Sequence, residues 1–109
     1  MNNAINTTDL NVSEIKTLDF SAKEWFDKAH GNSYFSAKIC VNFGLDSEQN
    51  FSLPMQYGYG ETYKDECFNK VCEAYNIQTK ESYFSFCRMN NIILRYNKRE
   101  NCLKKELNY

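Results

Sequence analysis

The stretch Asn32–Phe43, NSYFSAKICVNF, decides the fold. Taken two residues at a time, it sets Phe35, Ala37, Ile39, Val41 and Phe43 on one side and Tyr34, Ser36, Lys38, Cys40 and Asn42 on the other. Successive side chains of a strand point to opposite faces, so this period of two in aromatic and β-branched residues predicts a strand covered on one face. Gly44–Gln49 (GLDSEQ) follows as a turn. A second alternating run then sets Phe51, Leu53, Met55, Tyr57 and Tyr59 on one face. Pro54 has no N–H to give a ladder and belongs on an edge strand. The two runs are expected to pair as an antiparallel hairpin.

Upstream, residues 18–30 admit two readings. Ser21-Ala22-Lys23-Glu24 has the form of a capping box, with Trp25, Phe26 and Ala29 at helical spacing and Gly31 as a stop. Alternatively Phe20, Ala22, Glu24 and Phe26 form a strand face, and His30-Gly31-Asn32 turns the chain into the next strand. The strand reading completes a three-stranded meander and is preferred. Downstream, Tyr63, Cys67, Val71 and Tyr75 recur every four residues and predict a helix over Thr62–Tyr75, opened by a Thr62-x-x-Asp65 box and ended by Asn76 in a left-handed conformation. A shorter helix is expected from about Lys80 to Met89, closed by Asn90-Asn91. Ile92-Ile93-Leu94 then reads as a strand returning to the sheet, and RYNKRENCLKKELNY continues as strand, turn and a final strand or short helix.

The expected fold class is α+β: a three- to four-stranded antiparallel sheet with two helices on one face, in the order β-β-β-α-α-β. Residues 1–12, rich in Asn and Thr, are expected to be a flexible tail, and residues 13–109 a single domain. A chain of 109 residues that is 42% hydrophobic and 16% aromatic has the means for one core. The N-terminus lacks an apolar leader, the five cysteines are odd in number, and no CxxC occurs, so a reducing cytoplasm is expected. No apolar run is long enough to cross a bilayer.

Chemistry is sparse. His30 is the only histidine and lies in a Gly/Asn turn with no partner at metal spacing. Cys67 and Cys72 are five apart and fall on different helix faces. No GxGxxG, GxxxxGK[ST] or GxSxG pattern occurs. The expectation is a binding protein with no catalytic residues, metal or cofactor. Two features remain. Gln56-Tyr57-Gly58-Tyr59-Gly60-Glu61 alternates Tyr and Gly before a helix; Glu61, Asp65 and Glu66 there repel phosphate, so a structural turn is preferred to an anion loop. The charge is also uneven, although the net charge is only −1. Residues 1–60 carry four lysines against seven acids, whereas from Arg88 onward Arg88, Arg95, Lys98, Arg99, Lys104 and Lys105 face two acids.

With these segments in view, KEWFDKAHGNSYFS (23–36), LPMQYGYGE (53–61) and IILRYNKRE (92–100) resemble a family of small proteins from phages and mobile elements. The resemblance implies an accessory protein that acts by binding a host machine or defence system, as the inhibitors of RNA-guided nucleases (anti-CRISPR proteins) do. The partner it implies is a protein or ribonucleoprotein complex of a bacterial host, a CRISPR effector first. A direct nucleic-acid contact through the basic end, and a self-associating phage component, are the alternatives; no membrane is expected. The contact is expected on Tyr57, Tyr59, Arg95, Lys98 and Arg99.

Overall fold

The computed structural model describes residues 12–108. The chain is α+β, with a short 3-10 turn at Val12–Glu14 followed by β1 (Thr17–Asp27), β2 (Asn32–Val41), β3 (Gln49–Tyr57), α1 (Thr62–Tyr75), α2 (Tyr83–Met89), β4 (Ile93–Arg99) and a 3-10 turn at Lys104–Leu107. The ambiguous residues 18–30 are therefore strand, and Gly31, at φ 71°, serves the β1–β2 turn. The expected tail lies outside the described residues except at Val12, which packs on the core.

The strands lie in the order β3-β2-β1-β4. β1–β2 and β2–β3 are antiparallel, as expected, but β4 runs parallel to β1 and makes the sheet mixed. The reason is the path of the chain through the two helices. The 14 residues of α1 span about 21 Å and carry the chain back along the sheet. The seven of α2 span only about 10 Å and do not run the length of the sheet again, and β4 starts at the end where β1 starts.

Register sorts the side chains. Leu18 opposite Val41, Phe20 opposite Ile39 and Ala22 opposite Ala37 face the helices and meet Tyr63, Cys67, Phe68 and Val71 of α1 and Phe86 and Cys87 of α2 in one core. Phe68 and Phe86, with ring centroids 5.3 Å apart, tie the two helices together. Helix ends follow local chemistry in part. Asn76 takes the left-handed conformation (φ 55°) and closes α1. The Thr62-x-x-Asp65 box does not form, because Thr62 is already helical and Glu61 is the N-cap. α2 starts three residues later than expected, where the Ser82 hydroxyl accepts the Ser85 N–H at 3.2 Å.

Two corrections bear on the site. β2 ends at Val41, because Asn42 turns to φ 58°. Phe43, expected on the core face, is instead 66% exposed. In β3, Phe35 pairs with Gln56 and Ala37 with Leu53, so Pro54 and Met55 both stand opposite Ser36 in a bulge. Pro54 thus sits on an edge strand and at a bulge, the two places a ladder tolerates it. Phe51 and Leu53 stay on the core side, but beyond the bulge Tyr57 pairs with Tyr34 and changes face.

The face away from the helices is covered only at one place among the described residues. The Lys104–Leu107 turn packs on β1 and β2, Cys102 N–H donates to the Glu24 carbonyl at 2.9 Å, and Leu107 and Ser36 are buried.

Candidate functional site

Beside that cover, aromatic rings cross the open face. Trp25 and Tyr34 stand opposite each other on β1 and β2 and stack with centroids 5.5 Å apart. Tyr34 meets Tyr57 of β3 at 6.0 Å with planes at 79°, and Tyr57 meets Tyr59 at 6.5 Å and 71°. Cross-strand aromatic pairs hold each other in place, so the row is pre-organised. Lys104 Nζ lies 5.5 Å from the Trp25 ring centroid and closes the row with a cation. The outer end is the open one: Tyr57 is 61% and Tyr59 65% exposed.

The Tyr-Gly alternation has a local cause. A Cβ on Gly58 would lie 2.7 Å from Phe35 Cε1, so only glycine lets this backbone press on the core. Gly60 sits at φ 64°, a conformation glycine adopts without strain. Its carbonyl accepts from Lys98 Nζ at 2.9 Å, and Glu61 pairs with Lys64 one turn on. The glycines thus shape a strand-to-helix turn that presents two tyrosines.

The expected contact residues divide. Tyr57 and Tyr59 are adjacent and exposed. Lys98 faces inward: its ammonium lies 2.9 Å from Glu24 Oε1 and 5.9 Å from the Tyr63 centroid, with a side chain only 10% exposed. Burial pulls its pKa down, but the hydrogen bond and charge of Glu24 outweigh that and hold it above the ordinary lysine value. Lys98 is therefore engaged within the fold, with little of its side chain in solvent. Arg95 grips Asp19 through Nε at 2.6 Å and Nη2 at 3.0 Å, away from the rings. Arg99 borders the cover, with Nη2 2.9 Å from Glu106 and Nε 3.3 Å from Cys102 Sγ. Sequence reasoning missed Trp25, Tyr34 and Lys104. The first two were within reach, since a hairpin through Asp27–Gly31 puts residues equidistant from the turn opposite each other. Lys104 needs the return of the C-terminal turn over the sheet, which no local pattern announces.

At the other end of the face lies a groove of about 810 Å³ lined by Asp19, Lys38, Cys40, Glu48, Asn50 and Arg95, among others. Burial, and after it the carboxylates of Glu48 and Asp19, push the Cys40 thiol up, which disfavours the thiolate. His30 stands in the β1–β2 turn with Nδ1 2.9 Å from Asp27 Oδ2, and this hydrogen bond holds the Asp27 carboxyl below its ordinary value. The five cysteines are free thiols. Among the described residues, no group of three or more His, Cys, Asp or Glu side chains converges as a metal site, and no helix is long and apolar enough to cross a membrane.

Set against known families, curated proteins and solved structures, the chain finds no match.

Proposed function

We propose that this chain is a non-catalytic binding protein that docks the aromatic end of its open sheet face on a bacterial defence complex, with an RNA-guided nuclease as the partner. One observation carries the reading. The bulge at Pro54–Met55 turns Tyr57 out of the core register, and Gly58 and Gly60 then set Tyr59 beside it, both rings in solvent. A fold gains nothing in burial from two exposed aromatic rings on a specialised turn, whereas tyrosine and tryptophan dominate the energetics of protein interfaces. The likeness of residues 23–36, 53–61 and 92–100 to phage accessory proteins supports the choice of partner, since LPMQYGYGE contains this presenting turn.

The test is capture of the effector by tagged chain from a lysate carrying CRISPR effectors, followed by target-DNA cleavage with the purified nuclease. Wild type is expected to retain the nuclease and slow cleavage. Tyr57→Ala/Tyr59→Ala is expected to lose both while keeping the wild-type circular dichroism. Bait alone in the capture, or full inhibition by the double variant, refutes the reading.

A further inference from the structure

We infer that the aromatic end of the open face is a stacking platform for an unpaired nucleic-acid strand; this rests on the site assigned above and names the chemistry that the site recognises. Three strands and a turn contribute four rings in one row, at centroid spacings of 5.5, 6.0 and 6.5 Å. The two outer contacts are edge-on. An edge-on pair covers at most one face of one ring, so flat π surface stays available along Tyr57 and Tyr59. Unpaired bases stack on such surfaces whatever their sequence, because every base has a π face.

The charge beside the row fits phosphate. Lys104 lies over Trp25, and Lys28 lines the same hollow as Trp25. The carboxylates at this end have partners within the fold: Asp27 with His30, Glu24 and Glu100 with Lys98, Glu106 with Arg99 and Glu61 with Lys64. An approaching strand therefore meets Lys104 beside the rings, although the chain carries a net charge of −1. An acidic peptide would answer the lysines but brings no succession of flat faces to stack along the row of rings. A duplex would answer them too, yet it hides the faces of its bases. An unpaired strand satisfies both, with phosphates toward Lys104 and bases toward Tyr57 and Tyr59.

The experiment is fluorescence anisotropy of the full chain with a labelled oligonucleotide of about twelve bases, as DNA and as RNA, against a hairpin duplex, at about 50 and 200 mM salt. The expected result is binding of the single strands over the duplex, with affinity falling as salt rises. Tyr57→Leu/Tyr59→Leu, which keeps apolar bulk and removes the rings, is expected to weaken binding roughly tenfold per ring. Lys104→Ala is expected to lower the salt slope by about one, and Phe84→Ala, exposed on α2, to change nothing. Equal affinity for duplex and single strand, or wild-type binding by the leucine variant, overturns the inference. Silence with bare strands while the nuclease is still captured overturns it too, and leaves the binding-protein reading standing on a protein contact. Strand binding without capture of any nuclease upholds the platform and removes the proposed partner.

Discussion

Replacing Asn42 tests how the edge of the core is closed. Its side chain is fully buried at the end of β2 and makes four hydrogen bonds. Oδ1 accepts from Lys16 N–H at 2.6 Å and Thr17 N–H at 3.2 Å, and Nδ2 donates to the Glu14 carbonyl at 2.8 Å and Ser47 Oγ at 2.9 Å. The residue also holds φ 58°, a left-handed conformation that asparagine tolerates better than alanine. At about 1 kcal/mol net per hydrogen bond, Asn42→Ala forfeits about 3–4 kcal/mol. The left-handed backbone adds about 1 kcal/mol more, for a total of about 4–5 kcal/mol. That is a large share of the roughly 5–15 kcal/mol by which a domain is stable. Asn42→Gly removes the same bonds without the backbone penalty and is expected to be about 1 kcal/mol more stable than the alanine variant. Equilibrium urea unfolding, followed by Trp25 fluorescence and by circular dichroism with a shared m-value, reads both differences. A loss below about 1 kcal/mol for Asn42→Ala, or a glycine variant no better than alanine, refutes the reasoning.

Gly58→Ala is expected to cost about 1–3 kcal/mol through overpacking on Phe35, more than the ~1 kcal/mol of Gly60→Ala, a ranking that thermal unfolding checks. Burial pushes the Cys67 thiol up to about 12 and the Cys87 thiol up to about 11. Burial also raises Cys40 and Cys72, which are only half-buried. Iodoacetamide at mildly alkaline pH should therefore spare Cys67 and Cys87 in the native protein while slowly modifying Cys40 and Cys72, and peptide mass spectrometry after denaturant should find all five modified. Lys98→Met strands Glu24 without its cation and is expected to cost about 2–4 kcal/mol at neutral pH. Because the folded pKa of Lys98 lies above 10.5, its stabilisation is complete below that pH and is lost as pH climbs through the raised value. The methionine variant should accordingly lose less stability than wild type over the same alkaline range, measured by urea midpoints.

What could be read from the sequence follows from how locally each feature is encoded. Phe35, Ala37, Ile39 and Val41 announce a strand because one buried face imposes a period of two within a few residues. Asn76 announces the end of α1 because the left-handed turn is a property of one residue. The bulge at Pro54–Met55 is different: it exists only in the pairing of β3 with β2, so alternation alone carried Tyr57 onto the wrong face. Lys98 shows the same limit in charge. It reads as part of a basic end until its partner Glu24, 74 positions away, is folded against it. The direction of β4 depends on the path of the chain through two helices and their connections, which no strand pattern records.

The parallel pairing of β4 with β1 also sets an order of events. β1, β2 and β3 are joined by short turns and can form as soon as they exist, whereas Arg95 meets Asp19 across 76 positions. Closing so long a loop is slow because its entropy is lost before any contact rewards it. During synthesis from the N-terminus, the meander has its residues in hand while β4 is still inside the ribosome. Until β4 arrives, β1 is an open edge, able to pair with any passing strand. A chain cut short after α2 would keep that edge for good, so truncation at the C-terminus should produce aggregation.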